Sequence, residues 1–228
     1  MKIQYLVSAC LVPLVVFGAG SGTVFQETNG VVSMKASNAT YINAWKPVEG
    51  PSGQAMEAEK TGSWNGGVLR FDIEFSEPAD YVVWVLGRKA PNAEQGQLGG
   101  NDVKVWLDRN LSKSVNPSSK DRVSKQVQTL RDGKGTVLSL IRKPESQLSL
   151  GVEDGYAWSS EPKDGYEPAV WRIEKPGRHH IEFVTGEEWG FVIDKVVLFS
   201  NPGMMPEGLG PDETKPGSVP ATEQEQNF

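Results

Sequence analysis

Trp64, Trp158 and Trp189 lie in stretches of glycine, serine, asparagine and acidic residues, outside any alternating strand pattern. An indole in such a loop can stack its face on the axial C–H groups of a pyranose ring, which joins apolar burial to the polarised ring face. Polar neighbours would bond the sugar hydroxyls: Asn65 follows Trp64, and Glu187 and Glu188 precede Trp189. A pocket of this kind needs few groups and no activated side chain. The alternative for each ring is a plug that closes one end of a folded body. Residue type and spacing leave both readings open for each ring, with at least one of the three expected to touch ligand.

Catalytic chemistry is thinly represented. There is no Gly-x-Ser-x-Gly elbow and no glycine-rich phosphate loop. His179 and His180 are the only histidines. Adjacent on a strand, they would point to opposite faces and could not jointly grip one metal ion. They read as one core histidine with a satisfied hydrogen bond and one surface histidine. A glycosidase needs two acids about 5 to 10 Å apart across a sugar. Glu187 with Glu188, or Asp102 with Asp108, read more simply as solvated turn and strand-end charges. A hydrolase or lyase is therefore the weaker alternative.

The formal charge of −6 comes without a basic stripe, which argues against nucleic acid and against adsorption to an acidic membrane surface. Residues 1–22 read as a secretion signal: Lys2, an apolar run from Tyr5 to Phe17, then small residues. The run is shorter than the roughly 20 residues a spanning helix needs, and Pro13 interrupts it, so no membrane span is expected. Cys10, the only cysteine, lies in this leader. Lipidation there would leave an apolar start to the mature chain, so ordinary cleavage fits better. The expected location is secreted or periplasmic, with a disulfide-free domain that about 180 residues can stabilise by core packing.

The elements that must position these residues read as strands. Residues 177–200 form two apolar, β-branched runs joined by a short turn that carries Trp189 at its tip. Residues 68–75 alternate as a half-solvated antiparallel strand. Residues 81–86 are apolar on both faces and so central, with Trp84 in the core. Further strands are expected at 31–36, 102–108, 136–141, 148–152 and 169–173. Residues 38–53 and 155–160 read as loops, and 109–134 as helical or disordered. Many short strands without βαβ alternation predict an all-β sandwich, a jelly roll by preference. The domains expected are 1–22 signal, 23–203 sandwich, and 204–228 a flexible tail rich in proline and glycine.

The order of motifs resembles a known group. A Gly-x-Val-x-Met-x-Ala strand (Gly30 to Ala36) precedes Tyr-x-Val-Trp-Val. Asn101-Asp102 then leads into Val-x-Leu-Asp, and Gly-x-His, Glu-x-Gly, Ile-Asp-Lys-Val-Val-Leu and Pro-x-Gly-x-Gly-Pro close the chain. The pattern resembles the galactose-binding-like sandwiches of family 6 and family 35 carbohydrate-binding modules. It is also similar to the C-terminal module of family 115 glycoside hydrolases. The resemblance implies a non-catalytic domain that binds polysaccharide through aromatics and a loop-edge asparagine, here Asn101 beside Asp102 with Trp64, Trp158 or Trp189. It also implies a structural Ca²⁺ between the Glu of an Ala-Glu step in the first strand and an Asp near the last. Asp194 matches that Asp, but Lys35-Ala36-Ser37 lacks the Glu, which argues against calcium, and no other cofactor is expected. A module outside an enzyme also admits a different role, as a structural or lectin-like protein with a protein partner.

Overall fold

The computed structural model describes residues 23–61, 66–89, 100, 102–109, 129–130, 135–139, 155–160, 168, 170–185 and 188–217. The expected leader, most of the 109–134 stretch and the strand expected at 148–152 lie outside the described residues.

The first strands are β1 (Val24–Gln26), β2 (Val31–Lys35), β3 (Tyr41–Asn43), β4 (Trp45–Gly50), β5 (Gly53–Ala58), β6 (Val68–Phe75), β7 (Ala79–Arg88) and β8 (Asp102–Leu107). They continue as β9 (Thr129–Leu130), β10 (Gly135–Ser139), β11 (Ala157–Ser159), β12 (Val170–Ile173), β13 (Gly177–Val184), β14 (Val192–Phe199) and β15 (Pro216–Gly217). One sheet runs β10-β8-β13-β6-β1-β15, with β3 also on β6. The other runs β4-β5-β14-β7-β12-β9, with β2 on β14 and β11 on β7. The expected all-β sandwich is therefore present.

Period-two alternation builds the core. Leu69, Phe71, Ile73 and Phe75 of β6, and Val103, Val105 and Leu107 of β8, face Met34, Val83, Val85, Val196 and Leu198 of the other sheet. Fully burying one such side chain is worth about 1.5–3 kcal/mol. Phe71 and Phe183 meet edge to face at 6.0 Å, the geometry the ring quadrupoles favour.

Two strands expected to form a joined pair do not pair. β13 lies between β6 and β8 in one sheet, while β14 lies against β7, β2 and β5 in the other. The connection between them is a crossing from sheet to sheet at one rim of the sandwich. β14 is buried at every position, as a central strand covered on both faces must be.

Residues 38–53, expected as a loop, supply β3 and most of the β4–β5 hairpin. Pro47 disguised β4; proline is tolerated there because β4 is the edge strand. Residues 155–160 are likewise not a loop, since β11 pairs with β7 from Ala157↔Gly87 to Ser159↔Val85.

Of the flexible tail expected at 204–228, residues 218–228 lie outside the described residues. Residues 201–217 run as a strap against the sandwich. The strap meets Trp158, passes Lys195, follows the free edge of β2 and ends as β15 on β1. Thr214 donates its N–H to the Ser33 carbonyl at 2.8 Å, Ser33 donates its hydroxyl to the Pro211 carbonyl at 3.0 Å, and the Glu213 carboxylate accepts from Lys35 N–H at 2.8 Å. These contacts are polar, so a segment with little apolar surface is held without a core of its own.

Candidate functional site

The rim where β13 ends and β14 begins gathers several loop ends. Val184 stands opposite Val68 and Lys104, and Val192 opposite Glu57 and Arg88, so β5, β6, β7 and β8 all reach this end. The crossing is pinned on both sides. Thr185 N–H donates to the Gly67 carbonyl at 3.0 Å, and Gly67 N–H donates to the Thr185 hydroxyl at 2.8 Å. Beyond it, Gly190 N–H donates to the Ala58 carbonyl at 2.8 Å. Phe191 is buried and meets Trp45 edge to face at 5.4 Å.

Held between these anchors are Glu188 and Trp189. Trp189 is partly exposed. The Lys60 ammonium sits 5.0 Å from its ring centroid, a cation–π distance. Asp102 N–H donates to the Glu188 carboxylate at 2.8 Å, which joins the start of β8 to this crossing. Asp102 and the Glu188-Trp189 step are thus brought to one rim. Trp64, Asn65 and Asn101 lie outside the described residues. Their neighbours Thr61, Gly66 and Asp102 belong to chain ends that converge on this rim. An indole with the Glu188 carboxylate as its chain neighbour and the Lys60 ammonium by its ring is able to stack its exposed part on a sugar face and bond its hydroxyls.

Trp158 takes the other of its two readings. It is 2% exposed, packs with Trp84, Leu86 and Tyr156 on the outer face of the β14 sheet, and donates its indole N–H to the Gly208 carbonyl at 2.8 Å. Its expected ligand role is corrected to that of a plug beneath the strap. Trp45, Trp84, Trp106 and Trp171 are also buried, so Trp189 is the partly exposed indole among the described residues.

Asp194 is wholly buried under the β4–β5 turn. Its Oδ1 accepts from Ser52 N–H at 3.2 Å, and its Oδ2 has no hydrogen-bond partner among the described residues. A Cβ on Gly50 would lie 2.4 Å from Oδ1, so only glycine lets the turn close over the carboxylate. The neighbouring Lys195 is 4% exposed and in register with Lys35 across the β2–β14 ladder. Burial foremost lowers the Lys195 pKa and Lys35 adds to that, while Asp194, Asp212 and Glu213 oppose it. Calcium wants six to eight oxygens. Among the described residues no group of three His, Cys, Asp or Glu side chains converges to hold a metal, and the ammonium of Lys195 stands close by. The residues do not fit calcium.

The histidine pair departs from expectation. His179 Nδ1 lies 2.6 Å from Asp108 Oδ2 and His180 Nδ1 lies 3.3 Å from Asp108 Oδ1, so one carboxylate holds both rings. Strand parity does send the two side chains to opposite faces, but Asp108 sits just past the end of β8, at φ 45°, and reaches both. His179 Nε2 faces the Lys175 carbonyl at 2.9 Å. The His179 ring is thus held between a carboxylate and a backbone oxygen. The arrangement clasps strand ends.

A polar network on the outer face of the other sheet was not anticipated. Asp72 is 4% exposed and bonds Arg70 and Arg178, each at 2.7 Å, and Glu182 is paired with Arg109. On β6, Asp72 is the buried exception on an outer face where Arg70 and Glu74 stay partly exposed, as a half-solvated strand predicts. The network's trace in the sequence is the charged period-two set Arg70, Asp72, Arg178, His180 and Glu182, which a solvated face would equally produce. The carboxylates are engaged by cations, the state of structural pairs.

No protein-family model matches the chain, and no curated protein matches it. Solved structures do. A β-(1,4)-mannanase of Podospora anserina with a family 35 carbohydrate-binding module is similar at 12% identity and TM-score 0.47, over 78% of this chain and 29% of that one. The C-terminal family 6 module of a marine laminarinase from Zobellia galactanivorans is similar at 10% identity and TM-score 0.41, over 74% of this chain and 98% of the module. A family 115 4-O-methyl-α-glucuronidase with specificity for decorated arabinogalactans is similar at 14% identity and TM-score 0.44, over 76% of this chain and 18% of that one. The chain thus spans less than a third of each of these two enzymes. The three are the groups that the order of motifs resembles, while the two-sheet architecture itself rests on the strand pairings described above.

Proposed function

We propose that this chain is an exported, non-catalytic sandwich that binds polysaccharide at the Trp189 rim. The observation that carries the reading is the partial exposure of Trp189 on a crossing fixed at both ends, beside Glu188, Asp102 and Lys60. Preorganised aromatic surface loses little conformational freedom on binding, which is why a few fixed rings carry most of the affinity of such sites. Asn65 and Asn101, with Trp64, are proposed to complete the pocket from the adjoining loops. Binding asks for no shifted acid or base, and the acids of the Asp72 and Glu182 network are already neutralised by arginines.

The test is binding of the purified chain to arrayed and insoluble neutral and acidic polysaccharides. Retention on at least one class is expected; silence across all of them contradicts the proposal. A second reading, a protein-interaction module, draws on Tyr41 at 53%, Met204 at 42% and Met205 at 58% exposure. It predicts that Trp189→Ala leaves every interaction intact.

A further inference from the structure

We propose that the Lys195 ammonium is the resident cation of the Asp194 region, a tethered substitute for a metal ion that clamps the strap onto the sandwich and makes the fold independent of calcium. Its Nζ donates to the Leu209 carbonyl at 2.8 Å and to the Pro211 carbonyl at 3.1 Å. Backbone carbonyls are among the ligands a hard cation recruits, and here an ammonium, with three protons to donate, takes two of them. The charge is balanced locally: Asp194 adjoins it, and Asp212 and Glu213 come in on the strap itself. Without those acids an ammonium this buried would be costly to hold charged.

Room is not what keeps a metal out. A cavity of about 370 Å³ lies between the β4–β5 turn and the strap, lined in part by Lys35, Ser52, Lys195, Asp212 and Glu213. The ligands are already taken: Lys195 holds the Leu209 and Pro211 carbonyls, and the Glu213 carboxylate accepts from Lys35 N–H and Asn38. The clamp also has a specific load. Between its two carbonyl acceptors lies Gly210, where a Cβ would come within 2.8 Å of the Trp158 ring and φ is +70°. Lys195 therefore fixes the segment that seals Trp158, just beyond the Gly208 carbonyl that receives the indole proton.

The proposal is independent of the rim and its ligand. Melting of the full chain is measured in millimolar calcium chloride and in excess EDTA; coincident curves are expected, and a rise of several degrees in calcium overturns the proposal. Lys195→Met removes the charge-assisted bonds and is expected to speed proteolytic cutting within residues 201–217 about tenfold or more, with a red shift in tryptophan emission as Trp158 meets water. Lys195→Arg keeps the charge, has the cavity to grow into, and is expected to retain wild-type protection. No change in the Met variant, or loss in the Arg variant as large as in the Met variant, overturns the proposal.

Discussion

Trp158 and Trp189 are flanked by similar residues in the sequence, yet they occupy opposite kinds of place. Trp158 sits on the outer face of one sheet beneath the strap, 2% exposed, its N–H given to Gly208. Trp189 sits on the crossing between the sheets, partly exposed, with its neighbours anchored to Gly67 and Ala58. Small polar neighbours mark where an indole is free of strand alternation, and the cover that reaches it from elsewhere decides whether it stays wet. For Trp158 that cover comes from residues about fifty positions away.

The comparison can be broken most forcefully at the strap. A chain ending at Gly203 loses the acceptors of Lys195, the bonds at Ser33 and Lys35, and β15. Its melting temperature is expected to fall further than that of any single substitution, by more than about 10 °C. Melting like the full chain would restore the flexible tail of the composition reading. Next in size, Trp158→Ala empties a sealed site and is expected to cost about 3–5 kcal/mol, or roughly 10 °C in a domain of this length. Polysaccharide affinity per folded molecule should be unchanged, as titration of the folded fraction would show.

Trp189→Ala should do the reverse. Affinity is expected to fall by roughly thirtyfold, about 2 kcal/mol, with melting within a degree or two of wild type. The smallest effect belongs to Tyr81, away from both tryptophans. Burial foremost, with Glu27 and Glu77, pushes its hydroxyl from 10.0 up to about 12. An unfolded tyrosine ionises near pH 10 and the folded one only near 12, so its contribution to stability is whole below pH 10 and is lost as pH rises between the two. Tyr81→Phe should flatten that alkaline limb in denaturant melts and leave binding alone. A limb of unchanged slope would mean another group governs it.

What the sequence disclosed was local. Alternation in β6 and β8 and the continuous apolar run of β7 are properties of neighbouring residues, and the sheets follow them. Which strands pair is a property of distant ones, so the two runs around Trp189 looked like a hairpin while each completes a different sheet. The strap was illegible for another reason: hydropathy weighs side chains, and what secures Leu209 and Pro211 is their backbone oxygens. Hydropathy also cannot tell the buried, paired Asp72 from a solvated one. At the rim, the partial exposure of Trp189 agrees with a local reading, since an aromatic in a glycine-rich turn has no strand face to hide it.

The central claim, an open indole that grips sugar and a sealed one that holds the fold, is tested most directly by calorimetric titration of a retained polysaccharide into the wild-type chain and Trp189→Ala, with the melting of both recorded alongside. The account predicts binding by the wild type, its loss in the variant, and superimposable melting curves. Equal binding by both, or a collapse in melting that accounts for the loss, would contradict it.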